Sequence, residues 1–81
     1  MKQETIDALK TEVARARVKF PKCNHMVVAT MEEMGEVSNA ALEIEYGSDT
    51  REHFRKECIQ LACTAIRLYE EGDTEFPGTL P

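Results

Sequence analysis

The sequence predicts an all-α fold, an antiparallel helical bundle of about three helices that is completed by oligomerisation. Three long segments carry apolar residues at helical spacing, and no segment shows the sustained alternation that is typical of a strand. Gly47 and Gly72 each follow one of these segments, where glycine commonly ends a helix. The 81 residues form a single predicted domain, 1–81. A chain of this size has a thin core and commonly needs a disulfide, a metal or a partner subunit.

The first predicted helix covers residues 3–19. Its apolar residues form one stripe at steps of three and four, and Pro21 ends it because proline disfavours a helical residue before it. The second predicted helix covers residues 24–46. It begins with Asn24 as the expected N-cap, since a short polar side chain there can accept a bond from the first turn.

The third predicted helix covers residues 50–71. Asp49 and Glu52 have the spacing of a capping box at its start. The last residues, 73–81, include two prolines and a glycine, and they predict an irregular tail.

Composition excludes several classes of partner. The net charge of −5 and the absence of a basic stripe argue against a nucleic-acid polymer. No apolar run reaches the roughly 20 residues of a membrane span, and the N-terminus shows no signal peptide, so a cytoplasmic location is expected. Three cysteines, at positions 23, 58 and 63, are expected to be small buried residues in a reducing compartment.

A narrow polar stripe crosses the third helix. Glu57, Gln60, Thr64 and Arg67 follow one another at steps of three, four and three, so they share one face. The rest of this circumference is apolar from residue 58 to 69, which predicts burial on most sides and a second subunit, as a homodimer or homotetramer. The stripe faces either a strip of solvent or an internal site.

The second helix carries a pair of carboxylates on one face, Glu33 and Glu36. Small residues flank them, Ala29 and Ala40 on that face and Gly35 between the two acids. A core stripe is expected to one side, formed by Val27, Met34, Val37, Ala41 and Ile44. Neighbouring carboxylates are costly to bury unless a cation binds between them. Oxygen ligands suit Mg²⁺ or Mn²⁺. The short connection to the third helix would bring Glu57 towards this pair.

The stretches "EEMGEVSNAALE" and "ECIQLACTAIRL", with "KFP" upstream, resemble the MazG-like all-α nucleoside triphosphate pyrophosphohydrolases, in particular the short proteins of bacteria and phages. That family carries ExxE and ExxD on two helices of a bundle. Glu33 and Glu36 match the first motif and Glu57 matches the first acid of the second. The family's aspartate falls on Gln60, whose amide oxygen can still coordinate a metal.

The resemblance implies hydrolysis of a nucleoside triphosphate to the monophosphate and pyrophosphate, with Mg²⁺ or Mn²⁺ as cofactor. The implied catalytic residues are Glu33, Glu36 and Glu57, and Gln60 joins them as a metal ligand. The expected substrate contacts are Arg67, Thr64, Lys19 and Lys22, with Arg67 favoured as the cation that faces phosphate. A glutamate that is not fully engaged by metal would serve as the base towards water.

Two other classes were weighed against this one. A ferritin-like di-iron site needs Glu-x-x-His on two helices, and neither histidine follows a glutamate by three residues. A non-enzymatic helical dimer, acting as an interaction or regulatory module, remains the alternative, since Gln60 removes one charge from the expected metal site.

Overall fold

A computed structural model describes all residues, 1–81, and it contains three α-helices. They are α1 (Gln3–Lys19), α2 (Met26–Glu45) and α3 (Arg51–Glu71), followed by one turn of 3-10 helix at Pro77–Thr79. No strand is present beyond an isolated bridge in the tail. The all-α prediction is therefore confirmed, and the ends of α1 and the C-terminal end of α3 agree with the predicted ones.

The third helix is the centre of the bundle. α3 packs against both α1 and α2, whereas α1 and α2 hardly touch each other. The buried hydrophobic cluster contains only Val13, Ala16 and Cys63, with Leu9 and Ile66 packed around it. This cluster joins α1 to α3, and its small size agrees with the expectation of a thin core.

The start of α3 is fixed by a threonine. The Thr50 side-chain oxygen accepts a hydrogen bond of 3.2 Å from the backbone N–H of His53, which satisfies one of the free donors of the first turn. The predicted capping box of Asp49 and Glu52 is therefore wrong. Asp49 instead accepts from the N–H of Thr50 at 2.7 Å and contacts the His53 ring.

The start of α2 is capped from a distant part of the chain. The helix begins at Met26 rather than at Asn24, and the N-cap position is held by His25, whose φ is 59° and whose side chain makes no capping bond. The Asp73 carboxylate accepts the free N–H of Val27 at 2.9 Å. An acid at this end also suits the positive pole of the helix dipole.

The tail is ordered around that aspartate, so the prediction of an irregular segment is only partly right. Asp73 is fully buried, and its second oxygen accepts from the N–H of Glu75 at 2.9 Å. The N–H of Thr74 donates to the Cys23 carbonyl at 2.8 Å. Gly72, with φ of 74°, is required because an added Cβ would lie 2.6 Å from the Thr79 carbonyl oxygen.

The packed face of α2 differs from the predicted stripe. Its members recur at steps of three and four and are Met26, Thr30, Glu33, Val37, Ala40 and Ile44, all buried or half-buried. Met34 and Ala41 are exposed, so their placement in the core was wrong. Glu33 therefore lies in the middle of the surface that packs against the bundle, where an apolar residue would be typical.

The surface of α2 away from its packed face carries large uncovered apolar side chains among polar residues such as Glu32 and Asn39. Its large side chains are Val28, Met31, Met34 and Leu42, with exposures between 45% and 69%. None of the three helices combines the length and the hydropathy that crossing a membrane requires. An exposed apolar face of this kind is typical of a surface that binds another protein.

Candidate functional site

An open groove of about 660 Å³ runs between α1 and α2, with α3 as its floor. Six of the eight predicted site residues line it, and they are Lys19, Lys22, Glu33, Gln60, Thr64 and Arg67. Glu36 and Glu57 lie outside its lining. The groove exists because α1 and α2 both pack against α3 and leave a gap between them.

Glu33 is the most unusual side chain of the groove. Its Oε2 atom is buried and has no hydrogen-bond partner. Burial raises the pKa of the Glu33 carboxyl above its usual value, and the nearby charge of Glu57 raises the pKa further. Two carboxylates this close are costly when both are charged, because each has lost water and faces a like charge. A cation bound here would remove that cost.

Glu57 is the partner that the structure brings to Glu33. It lies on α3 and is 9% exposed. The two carboxylates meet across the contact between α2 and α3, as the short connection between these helices led us to expect. Gln60, one turn along α3, also lines the groove, and its amide oxygen is of a type that can bind a metal.

The third predicted carboxylate is placed differently. Glu36 is exposed and outside the groove, and it adds only a smaller charge effect to the raised pKa of Glu33. No group of three or more His, Cys, Asp or Glu side chains has an arrangement that would hold a metal by itself. The donor set is thus a carboxylate pair with a neighbouring amide. Such a set fits Mg²⁺ bound together with phosphate, because this ion commonly takes one or two carboxylates and completes its shell with water and substrate oxygens.

Sequence reasoning missed a chain of side chains that ends at Glu57. The residue at its centre is His53, which is exposed in the first turn of α3 and was not among the predicted site residues. Its Nδ1 contacts Asp49, and its Nε2 lies 3.2 Å from Oε1 of Glu57. The hydrogen bond to Asp49 raises the pKa of the His53 imidazole, and the same bond lowers the pKa of Asp49. The spacing of four residues at 49, 53 and 57 was the signal that could have revealed it.

Arg67 lines the groove, but its guanidinium already has partners. It is 3% exposed and donates to the carbonyl oxygens of Ala16 and Phe20 at 3.4 and 2.9 Å. It also forms two hydrogen bonds with Glu71, at 3.0 and 3.3 Å, which lower the pKa of that carboxyl. Arg67 therefore ties α3 to the end of α1, and this geometry does not favour it as the main phosphate contact.

The free cations of the groove are at its α1 rim. Lys19 is exposed, with its Nζ 5.4 Å from the centre of the Phe20 ring, and Lys22 is exposed without an ion pair. Arg15 also lines the groove but is paired with Glu12. Thr64 uses its hydroxyl proton in a 2.9 Å bond to the Leu61 carbonyl, so it offers a ligand an acceptor rather than a donor.

Residues 70–73 also have the spacing ExxD, and their acidic side chains stabilise the fold. Glu70 pairs with Arg17, Glu71 pairs with Arg67, and Asp73 caps α2. These three acids are therefore engaged in contacts that hold the fold together. Comparisons with family models, curated proteins and solved structures give no match for this chain. Its function is therefore inferred from the side chains of the groove.

Proposed function

We propose that this protein is a metal-dependent nucleoside triphosphate pyrophosphohydrolase, which cleaves an NTP or dNTP to the monophosphate and pyrophosphate. The observation that carries the proposal is the buried, unpartnered Oε2 of Glu33 beside the buried Glu57. Two acids in that position make folding less favourable, and a divalent cation would reverse the effect. The groove has a volume within the range of small-molecule sites.

The charges of the groove support a phosphorylated ligand. Glu33 and Gln60 lie on its α2 and α3 walls, and Lys19 and Lys22 lie at its α1 rim. Glu33 and Glu57 with Gln60 would hold Mg²⁺, and bound Mg²⁺ supplies charge neutralisation at the phosphate oxygens. The two lysines would hold the far end of the phosphate chain as point charges.

We assign Glu36 the role of the base towards the attacking water. It follows Glu33 by three residues and lies on the exposed side of the carboxylate pair. Because it is not buried against Glu57, its carboxylate is free to accept a proton. Arg67 and Thr64 then shape the floor of the groove, and Arg67 keeps the end of α1 in place.

The exposed face of α2 supports a homodimer, or a homotetramer, as the working form. Val28, Met31, Met34 and Leu42 would be covered by a second copy of the chain. The same face favours the second candidate function, a non-enzymatic helical dimer that acts as an interaction or regulatory module. The two candidates differ in their response to metal, since a pure scaffold has no use for a divalent ion beside Glu33.

Thermal melting separates the two candidates. Mg²⁺ together with a non-hydrolysable triphosphate analogue should raise the Tm of the wild-type protein, because both bind only the folded state. Glu33→Gln should remove the increase, whereas Glu45→Gln, an exposed carboxylate on the same helix, should retain it. An equal Tm for the wild-type protein with and without these ligands would favour the scaffold.

A further inference from the structure

Three side chains that accept or donate hydrogen bonds form a row at the start of α3. His53 and Glu57 are four residues apart on one face of α3, and Asp49 lies two residues before this helix begins. His53 stands between two carboxylates and touches both. An ionised carboxylate can only accept, so the ring holds both contacts at once when each of its nitrogens carries a proton.

The row is fixed at its outer end by the backbone. Asp49 precedes the Thr50 N-cap, and its Oδ1 accepts the N–H of Thr50 at 2.7 Å. Its Oδ2 holds Nδ1 of the His53 ring. The N–H of His53 is bound in turn by the Thr50 hydroxyl. The imidazole therefore has a defined orientation although much of it is in solvent.

The inner end of the row reaches the carboxylate pair. Nε2 of His53 lies 3.2 Å from Oε1 of Glu57, within hydrogen-bond distance, and Glu57 is buried beside Glu33. The bond engages one oxygen of Glu57 and leaves the other for a cation. A glutamate side chain has several rotamers, and a bond to a fixed donor selects one of them. Hydrogen bonds of this kind commonly orient the carboxylates of metal sites.

We propose that His53, held by Asp49, is a positioning residue that fixes the Glu57 carboxylate for a divalent cation shared with Glu33. The inference rests on the proposed function, because it needs Glu57 to be a metal ligand. It adds a supporting pair, Asp49 and His53, that lies outside the groove and outside the acidic motifs of the sequence.

Two substitutions of His53 separate its two contacts. In His53→Gln the amide nitrogen replaces Nε2 and can still donate to Glu57. In His53→Asn the amide nitrogen replaces Nδ1, so the contact to Asp49 remains and the bond to Glu57 is lost. Both variants keep the backbone N–H that Thr50 binds, so α3 retains its cap.

The measurement is Mn²⁺ binding by electron paramagnetic resonance at one fixed pH, on the full chain with and without a non-hydrolysable triphosphate analogue, with helix content checked by circular dichroism. His53→Asn should weaken Mn²⁺ binding about tenfold, and His53→Gln should retain most of the wild-type affinity. Wild-type affinity in both variants, or an equal loss in both, would overturn the positioning role alone. No Mn²⁺ binding by the wild-type protein would overturn the metal site and this inference with it.

Discussion

The guanidinium of Arg67, near the end of α3, donates a hydrogen bond of 2.9 Å to the carbonyl oxygen of Phe20, just beyond the end of α1. A second bond reaches Ala16, and Glu71 balances the charge. The Ala16 carbonyl already accepts the N–H of Phe20 at 2.7 Å, whereas the Phe20 carbonyl lies beyond the last helical bond and is given a partner by Arg67. Lys19 ends α1 just before this point and the connection that carries Lys22 begins here, so the rim of the groove depends on a buried arginine.

Replacing Arg67 by lysine should destabilise the protein by about 2 kcal/mol, because an ammonium cannot reproduce the planar set of bonds to two carbonyls and a carboxylate. Urea unfolding followed by circular dichroism measures the change. Arg55→Lys is the matched control, since Arg55 is exposed on the same helix. Equal stability of both variants would show that Arg67 is not a structural anchor.

Glu33→Gln should stabilise the metal-free protein by a few degrees in Tm at neutral pH. The folded pKa of Glu33 is raised, so its cost is absent below the usual glutamate pKa of about 4.3 and grows as the pH rises through the folded value. The difference in Tm between variant and wild type should therefore increase with pH. Melts in the presence of a chelator test this, and a difference that does not change with pH would contradict the raised pKa.

Asp73→Ala should lower the Tm by several degrees, because α2 loses its cap and the tail loses its central acceptor. The N–H groups of Val27 and Glu75 lower the pKa of Asp73. Its contribution is therefore present above the usual aspartate pKa of about 3.9 and is lost as the pH falls through the lower folded value. Asp7→Ala, at an exposed position of α1, is the control. If the two variants melted alike at neutral pH, the capping role of the tail would be wrong.

Met31→Glu should dissociate the proposed oligomer, since a carboxylate in the apolar face of α2 would have to be buried at the interface. Sedimentation velocity at micromolar concentration should show a larger species for the wild type and a monomer for the variant. Val18→Glu, at an exposed apolar position on α1, should leave the oligomer intact. A wild-type chain that sediments as a folded monomer would exclude the interface.

Most of the fold follows from helical periodicity, and the parts that do not follow depend on contacts between distant residues. The ends of α1 and α3 were predictable from Pro21 and Gly72. The start of α2 was not, because its cap comes from Asp73, 46 residues away from Val27 in the sequence. Periodicity alone also placed Met34 on the core side. The stripe of α2 that packs against the bundle contains Glu33 and is less apolar than the predicted one.

In the candidate site, too, some features follow from residue spacing and others depend on contacts between distant residues. The spacing of the acids led us to expect Glu57 near both Glu33 and Glu36, because a short connection places α2 and α3 side by side. The structure brings Glu57 to Glu33 and leaves Glu36 exposed. The spacing could not show that Arg67 turns towards Phe20 and Glu71, since that depends on where α1 ends in space. His53 was overlooked because its two partners are acids on its own helix, and such pairs are common on exposed surfaces.

Pyrophosphate release from a panel of nucleoside triphosphates with Mg²⁺ or Mn²⁺ tests the central claim most directly. The account predicts release by the wild-type protein for at least one nucleotide, and loss of at least about tenfold in Glu33→Gln, Glu36→Gln and Glu57→Gln. Glu45→Gln, outside the groove on the same helix, should retain wild-type activity. No pyrophosphate release from any nucleotide with either metal, by a folded wild-type oligomer, would contradict the hydrolase and leave the helical interaction module.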